Sequence, residues 1–121
     1  MRDFLLVAMG GALGAAARYG VTLAAARCWG QAAPWGTLIV NVAGGFAMGL
    51  LAGLAGDRRD LMLVLGAGVL GGFTTFSAFS IEMVRMIERG EMGLAALYLA
   101  ASVTLAVGAA FAGLMTARGL A

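Results

Sequence analysis

With no histidine in the chain, a general base would have to be a carboxylate, either Glu82 or an acid perturbed by a neighbouring arginine. No serine or cysteine sits in a recognisable nucleophile motif. Cys28 is the single cysteine, so it forms no disulfide within the chain, and one cysteine without histidine leaves no soft metal site. Gly66, Gly68 and Gly71 have the glycine spacing of a dinucleotide loop, but that loop requires a βαβ unit and these lie inside a membrane-length apolar run. An enzyme is therefore not expected.

The densest polar cluster is Gly71-Gly72-Phe73-Thr74-Thr75-Phe76-Ser77-Ala78-Phe79-Ser80. Paired glycines followed by two β-branched threonines weaken a helix, and the hydroxyls can bond freed backbone groups. Backbone carbonyls released inside a bilayer are tolerated only where protein buries them or where they face water or an ion, so a break at 71–75 would imply an ion site. A kinked but intact helix, with its hydroxyls bonded to their own turn, is the alternative. Beyond the break, helical spacing places Thr75, Phe76, Phe79 and Glu82 on one side, with Ser77 and Ser80 turned away. Two phenylalanines three apart commonly just pack. Their ring edges, however, carry the positive end of the quadrupole and could line a path for a small anion without trapping it.

Hydrogen-bond donors for such a path lie on other segments. Thr37 and Asn41 are one turn apart, as are Tyr98 and Ser102. An asparagine amide in lipid is either glue between helices or a ligand for something that passes. Arg18 and Glu82 are the ionisable groups nearest the bilayer interior, each a functional candidate by position, although Arg18 could also snorkel.

The elements that must position these groups follow from composition. Of 121 residues, 62% are hydrophobic and 12% charged, against about 45–50% and about 25% in soluble domains, which excludes a soluble globule and disorder alike. A bilayer core of about 30 Å needs about 20 helical residues. Four stretches qualify, about 4–26, 34–56, 61–84 and 92–117, and the short gaps between them hold most of the charge. Pro34 suits the start of the second span, bracketed by Trp29 and Trp35 as interfacial aromatics. The first span has the outline of a cleavable leader, with Arg2 ahead and Ala15 to Ala17 as small residues, but three further spans follow. Gly45, Gly49 and Gly53 repeat along one face, as do Gly10 and Gly14, allowing close backbone approach. Scattered arginines and a net charge of +2 make nucleic acid an improbable partner. Arg2, Arg58, Arg59 and Arg118 would lie on one side of the membrane and Arg27, Arg85 and Arg89 on the other, too even a balance to impose one orientation. The chain carries no convincing inverted repeat, so any symmetry would come from pairing two chains in opposite orientations.

The chain resembles the Fluc (CrcB-type) fluoride channels. The resemblance rests on Gly10-Gly11 through Gly14, Arg18 and Tyr19 in the first span, Gly36-Thr37 through Asn41 to Gly44 in the second, and Gly71-Gly72 through Phe79 in the third. It implies an all-α membrane protein of the cell inner (plasma) membrane, assembled as an antiparallel dual-topology homodimer of four-helix subunits. It further implies two fluoride pores and a structural sodium ion at the dimer interface. By motif, Phe76 and Phe79 would line the pore with ring edges and Asn41 would donate to fluoride. Thr37, Thr75, Glu82, Tyr98 and Ser102 would share the fluoride pathway, Arg18 would face an aqueous vestibule, and the Gly71 and Thr74 carbonyls would hold sodium. The chain departs from the family where Ala78 replaces the usual threonine, and Ala106 and Ala109 or Ala110 beyond Ser102 are apolar, so the hydroxyl track looks shorter.

Two other functions suit four small-residue helices. A small proton-coupled multidrug exporter would need an embedded carboxylate, yet the first, second and fourth spans have none and Glu82 lies at the end of the third. A non-transporting subunit of a larger membrane complex fits the Gly and Ala faces but leaves the Phe, Asn and Thr cluster unexplained.

Overall fold

The computed structural model describes residues 1–120. Among them every regular element is helical: α1 (Arg2–Trp29), α2 (Trp35–Leu54), α3 (59–73), α4 (Ser77–Glu88) and α5 (Met92–Leu120). α3 and α4 are the two halves of one interrupted span, so four segments are long and apolar enough to cross a membrane. Only a minority of each span is buried within the chain, and Leu13, Leu97 and Phe111 are among the large apolar side chains left outside. Such a surface is stable in lipid, and helices satisfy their own backbone there.

Two helix pairs build the bundle: α2 runs along α5, and α1 along α3. Glycine makes both contacts possible. A Cβ on Gly45 would stand 2.7 Å from the Ala106 carbonyl, while one on Gly49 or Gly113 would strike the carbonyl of Ala110 or Phe46. On the other pair, Gly10 and Gly14 face the Val64 and Val69 carbonyls, and a Cβ on Gly72 would stand 2.5 Å from the Gly11 carbonyl. Backbone therefore touches backbone at both seams, the arrangement expected where lipid gives no hydrophobic drive to association. Phe79, Met86, Ala95 and Tyr98 form a buried cluster that fastens α4 to α5.

The helix ends differ from the charge-free stretches. α1 begins at Arg2 and includes Arg27, and the third span reaches from 59 to 88, because charged residues can finish a helix in the headgroup region. α2 stops at Leu54 rather than 56, since Gly56 turns to a positive φ of 56°. Arg58 Nε donates to the Ala55 carbonyl at 2.9 Å and Nη2 to that of Leu54, closing the same helix end. Arg2 pairs with Asp60, and Arg59 with Asp3 at 2.7 Å, tying the amino terminus to the first turn of α3. At the opposite end Arg89 holds Glu91 across the α4–α5 turn at 2.9 Å, and that bond lowers the Glu91 carboxyl below its ordinary pKa.

Two features of the third span depart from the sequence expectation. Met62–Leu70 is wound as a π-helix, which no residue pattern announced. The break is also displaced: Gly71 and Gly72 remain helical, and the chain leaves the helix at Thr74. Gly72 is used for contact with α1, where a side chain would not fit, and neither glycine loosens the helix.

Candidate functional site

At Thr74 the backbone is extended (φ −81°, ψ 159°), and three residues later α4 begins. In an unbroken helix the Thr75 N–H would bond the Gly71 carbonyl. Here it donates to Asn41 Oδ1 at 2.8 Å, and Asn41 Nδ2 returns a bond to the Thr75 carbonyl at 2.9 Å. Asn41 thus does the work of a neighbouring strand, accepting from and donating to a single residue. The Thr75 hydroxyl accepts the Ala78 N–H at 3.2 Å, as a cap on the start of α4. The Ser80 hydroxyl donates to the Phe76 carbonyl at 2.8 Å. On the other side of the break, Thr74 closes the last turn of α3 with two bonds to the Leu70 carbonyl, from its N–H at 3.0 Å and its hydroxyl at 2.9 Å. Arg18 Nε donates to the Gly72 carbonyl at 3.0 Å, a cation at a helix C-terminus. The Gly71 and Thr74 carbonyls receive no donor among the described residues.

Beside the break lies a cavity of about 390 Å³, walled by Asn41, Gly44 and Gly45 of α2, by Thr74 to Phe76 and Phe79, and by Ser102, Val103 and Ala106 of α5. It is largely apolar and has no charged side chain in its wall. Phe76 and Phe79 meet with ring centroids 5.5 Å apart at 45°, and Phe79 meets Tyr98 at 5.2 Å and 55°, both tilted arrangements that set ring edges against neighbours. The two phenylalanines are not equivalent: Phe79 is 6% exposed and Phe76 77%. The Ser102 hydroxyl is buried at the cavity wall and has no hydrogen-bond partner among the described residues. Such a group costs free energy unless something uses it.

One turn beyond Phe79, Glu82 is gripped from two helices. Thr37 Oγ1 of α2 donates to Oε1 and Tyr98 OH of α5 to Oε2, each at 2.5 Å. The carboxylate that sequence alone offered as a base therefore has both oxygens engaged by hydroxyls.

The residues Thr37, Asn41, Thr75, Phe76, Phe79, Glu82, Tyr98 and Ser102 thus form one continuous group between α2, the break and α5. Thr75 joins it from the non-helical link between α3 and α4 and not from a helix face, which corrects its expected placement. Asn41 is the glue of the break, with one of its two amide hydrogens committed to Thr75. Arg18 stands apart, bonded to Gly72 across the α1–α3 seam. The capping of both helix halves by Arg18 and Thr75 escaped sequence reasoning. For Thr75 the signal existed, a threonine three residues before the Ala78 amide that it caps; for Arg18 there was none.

Residues 5–114 match the family described as CrcB-like protein, Camphor Resistance (CrcB). A relative from Hyphomonas neptunium, named as a fluoride-specific ion channel FluC, is 53% identical over 98% of this chain and 97% of its own. Relatives of the same name from Rhodospirillum centenum and Caulobacter vibrioides are 50% and 51% identical, each over 98% of this chain and 97% of theirs. With one family spanning nearly all of it and half its residues shared with each of these relatives, this chain belongs to the CrcB-like family of membrane proteins.

Proposed function

We propose that the protein is a passive fluoride channel that lets cells shed the anion, with the cavity between α2, the break and α5 as part of its path. The observation that carries this reading is the buried Ser102 hydroxyl, a donor without a partner among the described residues, on a largely apolar wall whose other polar side chains are the neutral Asn41, Thr74 and Thr75. Fluoride is small and strongly hydrated, so taking it from water is expensive unless compact donors replace part of its shell. Ser102 and the second amide hydrogen of Asn41 are neutral donors, and the ring edges of Phe76 and Phe79 add a weak positive field. A fixed ammonium or guanidinium in the wall would hold the ion, whereas conduction needs binding weak enough to leave.

The names of the relatives support fluoride as the ion. The exporter reading loses support from Glu82, whose two oxygens already accept the Thr37 and Tyr98 hydroxyls and which is absent from the cavity wall.

The functional unit in this reading is an antiparallel dual-topology homodimer. Exposed Gly71 and exposed Phe76 at the middle of the third span support it, as does the near-even arginine count on the two sides. The carbonyls of Gly71 and Thr74, hard oxygen donors without internal partners, suit a monovalent cation such as Na⁺ shared between two copies. Such an ion would supply fixed positive charge at the joint of two broken helices. Purified protein in liposomes loaded with fluoride tests the reading: efflux on dilution is expected, with chloride retained, and vesicles that hold their fluoride would reject it.

A further inference from the structure

Arg18 lies in the middle of α1, half-buried, and spends its Nε–H on one backbone oxygen, that of Gly72. In a continuous third helix this oxygen would belong to the Phe76 N–H. In the structure Phe76 is the residue ahead of α4 and its N–H has no acceptor among the described residues. The two ends of one missing helical hydrogen bond are thus both accounted for: the acceptor is occupied from outside by Arg18, and the donor is left free beside the cavity. Asn41 does the same one residue earlier, taking the Thr75 N–H away from Gly71.

We infer that Arg18 is a positioning residue that keeps the third helix open by competing for the Gly72 carbonyl, so that Phe76 faces the ion path and its N–H remains available there. The inference rests on the channel reading for its purpose, though not for its geometry. Without a donor at position 18, the Gly72 carbonyl and the Phe76 N–H are the two ends of one unmade helical bond, and in lipid an unpaired carbonyl and an unpaired amide close on one another. The third span would then rewind by one turn at the break, turning Phe76 out of the cavity wall.

The test compares two substitutions of similar length. Glutamine places its Nε2 donor the same number of bonds from the backbone as arginine Nε, so Arg18→Gln keeps the hydrogen bond and discards the charge. Arg18→Met keeps the stem and discards the donor. Hydrogen–deuterium exchange over residues 74–79, read at the Phe76 amide, is the measurement. In Arg18→Met the Phe76 amide gains a helical bond and should exchange about tenfold more slowly than in the parent, while amides of α5 are unchanged. Arg18→Gln should match the parent. A residue that merely held the bundle together would give the opposite sign, with faster exchange throughout.

Exchange at Phe76 that is unchanged or faster in Arg18→Met overturns the inference, as does equal behaviour of the Gln and Met variants, which would assign the role to charge. If Arg18→Met does not assemble, the parent decides: a Phe76 amide as protected as that of Ser80, which bonds the Phe76 carbonyl at 2.8 Å, overturns the inference, and an unprotected one supports it. Fluoride flux measured on the parent separates the two claims. A parent that passes no fluoride removes the channel reading and leaves the exchange result standing.

Discussion

Asn41→Asp changes one atom at the break. Oδ1 stays and can still accept the Thr75 N–H at 2.8 Å, but the Nδ2 donor becomes an oxygen facing the Thr75 carbonyl at 2.9 Å. A bonded pair becomes two acceptors in contact. Leaving a half-buried carbonyl unsatisfied costs about 1–3 kcal/mol, before any repulsion between the oxygens. Since about 1.4 kcal/mol is tenfold in an equilibrium constant, the equilibrium for pinning Thr75 should weaken by about fivefold to about 140-fold. The substitution also places negative charge on the cavity wall, where an anion must pass. Both effects act in the same direction, so fluoride efflux from liposomes is expected to drop at least about tenfold. Helical circular dichroism should persist, because α2 and α5 remain seated on their glycine seam away from the break. Efflux at the parent rate from folded Asn41→Asp would refute the argument, since neither the pinning bond nor the neutral wall would then matter.

Ser102→Ala deletes a hydroxyl that has no partner, so melting in detergent should be unchanged or slightly raised while fluoride efflux falls; lost stability with intact efflux would make Ser102 a structural residue. Phe76→Ile and Phe79→Ile keep bulk but remove the ring edges, and both should slow efflux. Phe79→Ile should lower the melting temperature more than Phe76→Ile, because it loses two aromatic contacts of about 0.5–1.5 kcal/mol each and a buried position, whereas Phe76→Ile loses only the contact the two rings share. Gly49→Ala drives a Cβ into the Ala110 carbonyl and to 2.8 Å from the Leu114 amide, so it should destabilise by about 1–3 kcal/mol or more, whereas Gly20→Ala meets nothing within 4 Å and should be neutral or stabilising in the same thermal assay.

The four spans were legible because bilayer thickness sets a length that uncharged stretches either meet or do not. The polar side chains around the cavity were legible for a related reason: Asn41, Thr75 and Ser102 are polar groups in apolar runs, and each has to face protein or an ion. The exact place of the break was not, and the cause is distance along the chain. Gly71-Gly72 is the weakest helix former in the third span when read locally, yet both residues stay helical and the seam with Gly11 uses the missing side chain of Gly72. What opens the helix is competition for hydrogen bonds from residues 34 and 54 positions away, Asn41 for Thr75 and Arg18 for Gly72. The propensity cost of about 1 kcal/mol per glycine is no larger than one such bond, and in a medium that offers no water as an alternative partner the bonds select which residues leave the helix. The same competition explains why Phe76 and Phe79, alike in type and set three apart, end so differently. Phe79 lies inside α4 and is carried against Tyr98, while Phe76 stands just ahead of that helix, at the point where the chain has already been pulled open.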